Sequence, residues 1–393
     1  MCFKKCKSLF MFFLVLLVVL GLTSCEDNSA LTDEVEITTP GDVRQIHLNE
    51  DSLSVTLSYP GDSTVSIRYT TDESDVTESS PLYSESFSIT GDTTVKAKAF
   101  RDSGIMSTLS EKKYYKVTEE FSDKDLLQAR ISELIADDEL GPEGDYNHLG
   151  LDSSLTDLSY LFNNDSLRTT FNGDISAWDV SKVTNMYAMF LGAISFNQPL
   201  NDWDVSQITT ISSLFEEAIS FNQPLNGWDV SNVKNMDSTF FGAFSFNQPL
   251  NKWDVANVKY MANTFYRATL FNQPLNDWDV SSVKNMQGMF YLASSFNQAL
   301  NDWNVSKVIE ASYMFAGDGA DNMTIFNQDI SSWELNSLEN ASYMFKYNEN
   351  FNQDLTGWND DLPDETISYD NIITNCPNMD NTKLPIKLGG STT

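Results

Sequence analysis

A Phe-Asn pair recurs through the second half of the chain with a step of 25 residues, and no other feature restricts the possible fold as strongly. The phenylalanines are Phe171, Phe196, Phe221, Phe246, Phe271, Phe296, Phe326 and Phe351, with one longer step of 30 residues before Phe326. A tryptophan stands seven residues after each of them, and these are all eight tryptophans of the chain. A fixed period of this length is typical of repeat proteins, in which each repeat buries its apolar side against its neighbours.

Two patterns alternate within each repeat, whose positions we number from the phenylalanine as position 1. At positions 13, 16, 20 and 23 the third repeat carries Val233, Met236, Phe240 and Ala243. Steps of three and four residues are typical of one face of a helix. Residues 200–205 of the second repeat alternate like a short strand. One strand and one short helix per repeat predict an α/β repeat solenoid.

Segments before and after the repeats complete a division into six parts. Residues 121–136 carry apolar side chains at helical spacing and predict a capping helix. The alternating runs at residues 54–59, 65–69 and 94–100 predict short strands of a small all-β sandwich. The predicted parts are a signal peptide at 1–24, a tether at 25–45, a β-sandwich spacer module at 46–117, a helical N-terminal cap at 118–170, about eight repeats at 171–360, and a C-terminal cap and tail at 361–393.

The predicted β-sandwich carries motifs of a known family. Residues 69–72 (Tyr-Thr-Thr-Asp), 79–81 (Ser-Ser-Pro) and 93–99 (Thr-Thr-Val-Lys-Ala-Lys-Ala) resemble the chitobiase/hexosaminidase C-terminal domain. The resemblance implies an immunoglobulin-like, non-catalytic module that acts as a spacer. The chain departs from the family at residues 72–74, where Asp-Glu-Ser replaces the usual Asp-Gly-Ser and alters one turn.

The repeats resemble a second family. The pattern Trp-Asp-Val-Ser-x-Val-x-Asn-Met at residues 228–236, with Phe-Asn-Gln at 246–248, is similar to the repeat of about 26 residues of BspA-like leucine-rich-repeat bacterial surface proteins. The likeness covers about residues 150–360. It implies an irregular leucine-rich-repeat-like architecture and exposure at the cell surface. Many members of that family are lipoproteins, and their ligands are mostly unknown.

The first 25 residues have the features of an export signal. Residues 4–7 hold three lysines, and residues 9–20 form an apolar run that is too short for a comfortable membrane span. The run ends in Leu-Thr-Ser at 22–24, followed by Cys25, which resembles a bacterial lipobox. The sequence therefore predicts lipid attachment at Cys25. It also predicts anchoring at the bacterial cell surface, on the outer membrane if the organism has one.

Charge and cysteine content exclude several classes of function. The formal net charge of −32 repels nucleic acid and anionic lipid, so neither is a predicted partner. Outside the leader and Cys25, only Cys376 remains, and one cysteine cannot form an intramolecular disulfide. The two histidines, His47 and His148, belong to no catalytic motif. We therefore predict that the chain is not an enzyme, and that it uses no cofactor and no metal.

The tryptophans allow two interpretations. They can form the core, because core residues recur in every repeat, or they can form an exposed ladder that stacks on the sugar rings of a regular polysaccharide. The candidate ligand ladder consists of Trp203, Trp228, Trp253, Trp278 and Trp303. Core packing is the interpretation that the regularity favours.

Two polar positions also recur. An acidic or amide residue follows each tryptophan, as in Asp204, Asp229 and Asp279, and stacked carboxylates need either turn amides or a cation such as calcium. An asparagine follows each phenylalanine, as in Asn222 and Asn247, and it predicts a buried amide ladder that satisfies turn backbone.

Two functions are compatible with these features. The first is an adhesin or recognition module for a protein of a host or a neighbouring cell. The alternative is a glycan-capture lipoprotein for polysaccharide binding and uptake. In either case the membrane contact is made through the N-terminal lipid.

Overall fold

The computed structural model describes residues 31–388, apart from residues 32, 41–43, 49, 61, 63, 102–103, 105, 138, 320, 360–361, 363–367 and 370. The predicted signal peptide and Cys25, the predicted site of lipid attachment, therefore lie outside the described residues. The chain forms two compact units. The first comprises the described parts of Met1–Pro40, Ser54–Ile89 and Thr93–Lys113, and the second those of Gly41–Leu53, Thr90–Asp92 and Tyr114–Thr393.

Short strands make up the first unit. They are β1 (Glu36–Thr38), β3 (Leu53–Ser58), β4 (Ser66–Thr70), β5 (Phe87–Ile89), β6 (Thr93–Phe100) and the beginning of β7 (Ser110–Lys116), and β2 (Gln45–Ile46) belongs to the second unit. One small sheet has the order β1-β3-β5, and in the other β6 lies between β4 and β7. Alternate residues of β3 point inward, and Val55 is fully buried with Leu57 beside it. The strands predicted at residues 54–59, 65–69 and 94–100 are thus present as β3, β4 and β6.

The second unit begins with elements that precede the repeats. β2 pairs in parallel with the last residues of β7, and β8 (Glu119–Phe121) pairs in parallel with β9 (Leu149–Leu151). Helix α1 (Lys124–Ala136) lies within the predicted capping segment, and the carboxylate of Asp123 accepts the amides of Asp125 and Leu126 at its first turn. Its buried side chains pack into the same hydrophobic cluster as the repeats. A four-residue helix, α2 (Leu167–Thr170), precedes the first phenylalanine.

The prediction of an α/β repeat solenoid is wrong. Within the described residues the only α-helices are α1 and α2, the sheets are small, and the segment predicted as a strand at residues 200–205 is not one. Neighbouring repeats share single-residue parallel bridges, as in Asn235↔Tyr260↔Asn285. A short 3-10 helix at Thr356–Asn359 contains the last tryptophan, Trp358, and two more follow at Asn381–Lys383 and Ile386–Leu388. Among the described residues, no helix has both the length and the apolar character that crossing a bilayer requires.

Positions 16–23 of each repeat fold into consecutive turns instead of a helix. In repeats 1 to 5 and in repeat 7, positions 18 and 22 have positive φ, with 58° at Ser238 and 65° at Gly242 in repeat 3, and 56° at Asn263 and 57° at Arg267 in repeat 4. A right-handed helix requires a negative φ at every residue, so two left-handed residues per repeat exclude it. Turns that reverse the chain every three or four residues also bring positions 13, 16, 20 and 23 to the inside. The spacing therefore identified the buried positions but not the backbone that buries them.

Backbone hydrogen bonds alternate between partners inside a repeat and partners in the next one. The amide of Ser238, at position 18, donates to the carbonyl of Ala262 in the next repeat at 2.8 Å. The amide of Thr239, one residue later, donates to Met236 in its own repeat at 3.1 Å. Buried amides need partners, so each repeat depends on its neighbour to satisfy its backbone.

Aromatic side chains form three columns through the interior of the repeats. The rings at position 1 stack at 6.0 Å between Phe221 and Phe246, and those at position 20 at 5.6 Å between Phe240 and Phe265. The indoles at position 8 lie nearly parallel, with 6.4 Å and 2° between Trp253 and Trp278. Parallel rings at these separations add to the free energy gained from burial alone.

An asparagine ladder runs beside the columns at position 2. The amide of Asn247 donates to the side-chain oxygen of Asn222 at 2.9 Å, and Gln248 donates through Nε2 to the Asn222 carbonyl at 3.0 Å. The same contact links each asparagine from Asn172 to Asn352 to its counterpart in the next repeat. The expected role in satisfying backbone is confirmed, although most of these residues are half-buried rather than buried.

Candidate functional site

The candidate site lies where repeats differ from one another, because the recurring positions are used for packing. Aromatic residues occupy position 21 in repeats 3 to 5 and position 18 in repeats 6 and 7. We call this row the tyrosine strip, and it consists of Phe241, Tyr266, Tyr291, Tyr313 and Tyr343. Each member contacts the next, so the strip is continuous over five repeats.

The ring geometry of the strip leaves edges, not faces, toward solvent. Phe241 and Tyr266 stack at 4.3 Å and 6°, and Tyr266 and Tyr291 at 4.6 Å and 21°. Tyr291 meets Tyr313 edge-on at 6.0 Å and 72°. All members are half-buried. The strip therefore presents aromatic edges and tyrosine hydroxyls held in fixed positions by their neighbours.

Burial also fixes the protonation state of the strip. Desolvation, with a smaller contribution from Tyr266, raises the pKa of Tyr291 to about 12. Desolvation also raises the pKa of Tyr313. Both phenols remain protonated at neutral pH, so they can donate as well as accept hydrogen bonds.

An apolar groove lies beside the strip and is lined by positions 22 and 24. One part, of about 180 Å³, is lined by Ile194, Ile219 and Phe244 together with the charged residues Arg168, Glu217 and Arg267. Another part, of about 320 Å³, is lined by residues that include Leu292 and Met323. Phe244 and Arg267 line both parts, so the two are adjoining. Phe244 is 38% exposed, which is unusual for a phenylalanine of this chain.

Cations stand along the strip and the groove. The Arg267 guanidinium lies 6.0 Å from the ring centre of Tyr266 and 3.8 Å from the Asp318 carboxylate. Asp318 belongs to the longer segment between Phe315 and Phe326, and Asp321, Asn322 and Met323 of this segment line the groove. At the other end, the Lys346 ammonium lies 5.0 Å from the ring of Tyr343. A surface of tyrosine, arginine and apolar groups is typical of a protein interface.

The tryptophans of the candidate ligand ladder lie in the interior. Their exposed fractions are only 2–3%. Each indole N–H donates to a backbone carbonyl of the preceding repeat, as Trp253 does to Leu225 at 2.8 Å and Trp278 to Leu250 at 2.9 Å. The five residues are Trp203, Trp228, Trp253, Trp278 and Trp303. No face of these rings lies at the surface of this structure.

The acidic residues after the tryptophans are held by turn amides. Asp229 accepts the Ser231 amide at 3.0 Å, and Asp279 accepts the Ser281 amide at 3.0 Å. Hydrogen bonds from the side chain and the amide of Ser231 lower the pKa of Asp229. In the described part of the chain, no group of three or more histidine, cysteine or acidic side chains is arranged to hold a metal ion.

One titratable cluster, which sequence reasoning missed, lies in the second unit. His47 Nδ1 is 2.6 Å from Glu120, and its Nε2 is 3.7 Å from Asp179 of the first repeat. The interaction with Asp179, followed by Glu120, raises the pKa of His47 to about 9 against the opposing effect of burial. Burial would raise the pKa of Asp179, but hydrogen bonds from His47 and Ser181 lower it to about 2. The cluster is therefore an ion triad at neutral pH and no general base.

The remaining cysteine of the described chain is buried. The Cys376 thiol contacts the Phe345 carbonyl, and desolvation raises its pKa to about 11. A thiol that stays protonated is a poor nucleophile.

Comparison with known families assigns both parts of the chain. Residues 151–244, 223–325 and 318–381 match the family described as Mycoplasma protein of unknown function, DUF285, and residues 49–111 match the chitobiase/beta-hexosaminidase C-terminal domain. The first set of matches covers more than half of the chain, which therefore belongs to that family. The second confirms the chitobiase-type resemblance. No curated protein and no solved structure matches the chain.

Neither match gives positive evidence of an enzymatic activity. The chitobiase-type domain is a non-catalytic module, and the repeat family has no established function. The tyrosine strip and the groove are therefore the features that indicate a function, because a fold alone does not determine what a protein does.

The His47 cluster generates a pH-dependence prediction. Because its pKa is about 9 in the folded chain and about 6.5 unfolded, its contribution to stability is complete below about pH 6.5 and is lost as the pH rises through about 9. His47→Gln should lower the free energy of unfolding of the second unit by about 2 kcal/mol near pH 6, after allowance for partial exposure. Thermal unfolding of both proteins at several pH values checks this.

His148→Gln is the matched control, since the other histidine takes part in no ion pair among the described residues. We expect the difference between wild type and His47→Gln to shrink toward about pH 10. A difference that stays constant over that range would show that the triad is not the source of the stability.

Proposed function

We propose that this chain is a cell-surface recognition protein, an adhesin that binds a protein of a host or a neighbouring cell through the tyrosine strip and the apolar groove. The continuous row of five half-buried aromatic rings at positions that vary between repeats supports this most directly. Packing does not require such a row, because the three interior columns already fill the core.

The composition of this surface supports a protein ligand. Tyrosine and arginine carry a large share of the binding free energy at protein interfaces, and contact area held rigid before binding costs little entropy. Here the rings hold one another in place, and Arg267 stands between the strip and the groove. Exposed Phe244 and Leu270, which is 55% exposed, add apolar area that a partner would cover.

The alternative of glycan capture has less support at the residues first considered for it. It relied on a ladder of exposed indoles, and those indoles are buried. The chitobiase-type domain belongs to a family of accessory modules and gives no ligand for this chain. A protein ligand at the strip is therefore the function that we favour.

We further propose that the chain is a BspA-like lipoprotein, held at the bacterial surface by lipid on Cys25. The support comes from the order of the basic, apolar and Leu-Thr-Ser-Cys segments at the start of the sequence, and from the repeat pattern at residues 228–236. Along the chain, the segment after Cys25 and the chitobiase-type module come between the lipid and the repeats.

The strip is tested with a double substitution. Tyr266→Ser with Tyr291→Ser should weaken binding to the chain's protein ligand at least about tenfold, since two central rings of the interface are lost. A panel of purified extracellular-matrix proteins and a glycan array are the probes. The matched control is Tyr160→Ser with Tyr187→Ser, an exposed tyrosine pair 5.2 Å apart outside the strip. Binding that is confined to glycans, or that the strip variant and its control weaken equally, would refute the proposal.

The anchor is tested separately in cells. Cys25→Ser should remove incorporation of labelled fatty acid and shift the protein from the membrane fraction to the soluble fraction. Cys376→Ser, whose thiol is buried, is the control and should keep its label. Lipid label retained by the Cys25 variant would disprove attachment at that residue.

A further inference from the structure

Three lysines stand at the same position of three consecutive repeats. Lys234, Lys259 and Lys284 occupy position 14 of repeats 3, 4 and 5, and all three are exposed. The corresponding residues on either side are Thr209 and Ile309, so the row has defined ends. We call the three residues the lysine ladder.

Backbone hydrogen bonds fix the spacing of the ladder. The amide of Lys259 donates to the carbonyl of Lys234 at 2.9 Å, and the amide of Lys284 donates to the carbonyl of Lys259 at 2.9 Å. Chains paired in this way lie about 4.8 Å apart. The backbones of the three lysines are thus held in a row with the spacing of neighbouring strands. This spacing is roughly the length of one sugar residue.

Such a row is unexpected in a chain of formal charge −32. Like charges on adjacent strands repel one another. No salt bridge to a carboxylate relieves the repulsion within the described residues, where the ion pairs involve other cations. Two carboxylates belong to residues close to the ladder: the Glu310 amide donates to the Lys284 carbonyl at 3.2 Å, and the Asp237 carboxylate accepts the Ala262 amide at 2.7 Å.

An exposed aromatic residue stands next to the middle lysine of the ladder along the chain. Tyr260 follows Lys259 directly and is 44% exposed. The bridges Asn235↔Tyr260↔Asn285 place an asparagine on each side of it. A tyrosine ring can stack on the apolar face of a sugar, and amides can exchange hydrogen bonds with its hydroxyls. An exposed cation and an exposed tyrosine thus occupy consecutive residues of the middle repeat, with asparagines at the bridge positions of both neighbouring repeats.

We propose that the lysine ladder binds a linear acidic polysaccharide that carries an anionic group on each sugar. Each ammonium meets one carboxylate or sulfate, and one sugar ring lies on Tyr260. Nucleic acid fits less well, because its phosphates are spaced more closely than the lysines of the ladder. This binding is separate from the protein recognition that we propose for the tyrosine strip.

The test measures the affinity of the full-length chain, in neutral detergent, for defined oligosaccharides. Oligogalacturonate, with one carboxylate per sugar, and a sulfated dextran oligomer distinguish the two sources of charge, and unmodified dextran is the neutral control. Lys234→Gln with Lys259→Gln and Lys284→Gln should weaken binding of the preferred acidic oligomer at least about tenfold and reduce its salt dependence. Tyr260→Ser should weaken binding without changing the salt dependence.

A matched triple variant changes the charge equally elsewhere. Lys182→Gln, Lys252→Gln and Lys307→Gln replace three other exposed lysines and should change the affinity less than about twofold. Tyr266→Ser should leave oligosaccharide binding intact. A failure of the proposal for the lysine ladder is therefore distinguishable from a failure of the proposal for the tyrosine strip. Equal losses in both triple variants, absence of binding to either acidic oligomer, or tighter ladder-dependent binding of an oligothymidylate would overturn the proposal.

Discussion

Each repeat depends on its neighbour to complete the hydrogen bonding of its own backbone. The amide at position 18 bonds to the next repeat and the amide at position 19 to its own, as at Ser238 and Thr239. This alternation requires equivalent residues of neighbouring repeats to lie opposite one another, in register. The asparagine ladder and the tryptophan N–H bonds meet the same requirement, because each donates to the repeat before it. Because every repeat must place these donors and acceptors opposite those of its neighbour, the sequence keeps a fixed period.

The same requirement separates residues that pack from residues that can bind. The aromatic positions of the interior are constant because a changed ring would interrupt a column, as at Trp253 between Trp228 and Trp278. Positions facing outward carry no such restriction and differ from repeat to repeat. The tyrosine strip and the lysine ladder both arise at variable positions, where similar residues in consecutive repeats produce a regular surface row. Similar residues at the same surface position of consecutive repeats therefore indicate a binding surface in this chain.

The sequence predicted which side chains are buried better than it predicted the conformation of the backbone. Val233, Met236, Phe240 and Ala243 are buried as the spacing indicated, yet the chain reaches them through turns with left-handed residues at Ser238 and Gly242. Periodicity reports which side chains point inward, and both a helix and a series of turns can satisfy it. The surface rows were missed because their members are far apart in the sequence. The row of aromatic residues every 25 positions was nonetheless visible at Phe241, Tyr266 and Tyr291.

The dependence of each repeat on its neighbour is tested most directly by removing one whole repeat. Deletion of residues 246–270 joins repeat 3 to repeat 5 with every column and ladder in register. The shortened chain should keep a cooperative thermal transition and the emission of buried tryptophans, since its neighbour contacts are re-formed. Deletion of residues 246–265 removes only part of the repeat, so the columns and ladders are no longer in register. This deletion should abolish both the cooperative transition and the emission of buried tryptophans. Two deletions that unfold alike, or a whole-repeat deletion that fails to fold, would contradict this dependence.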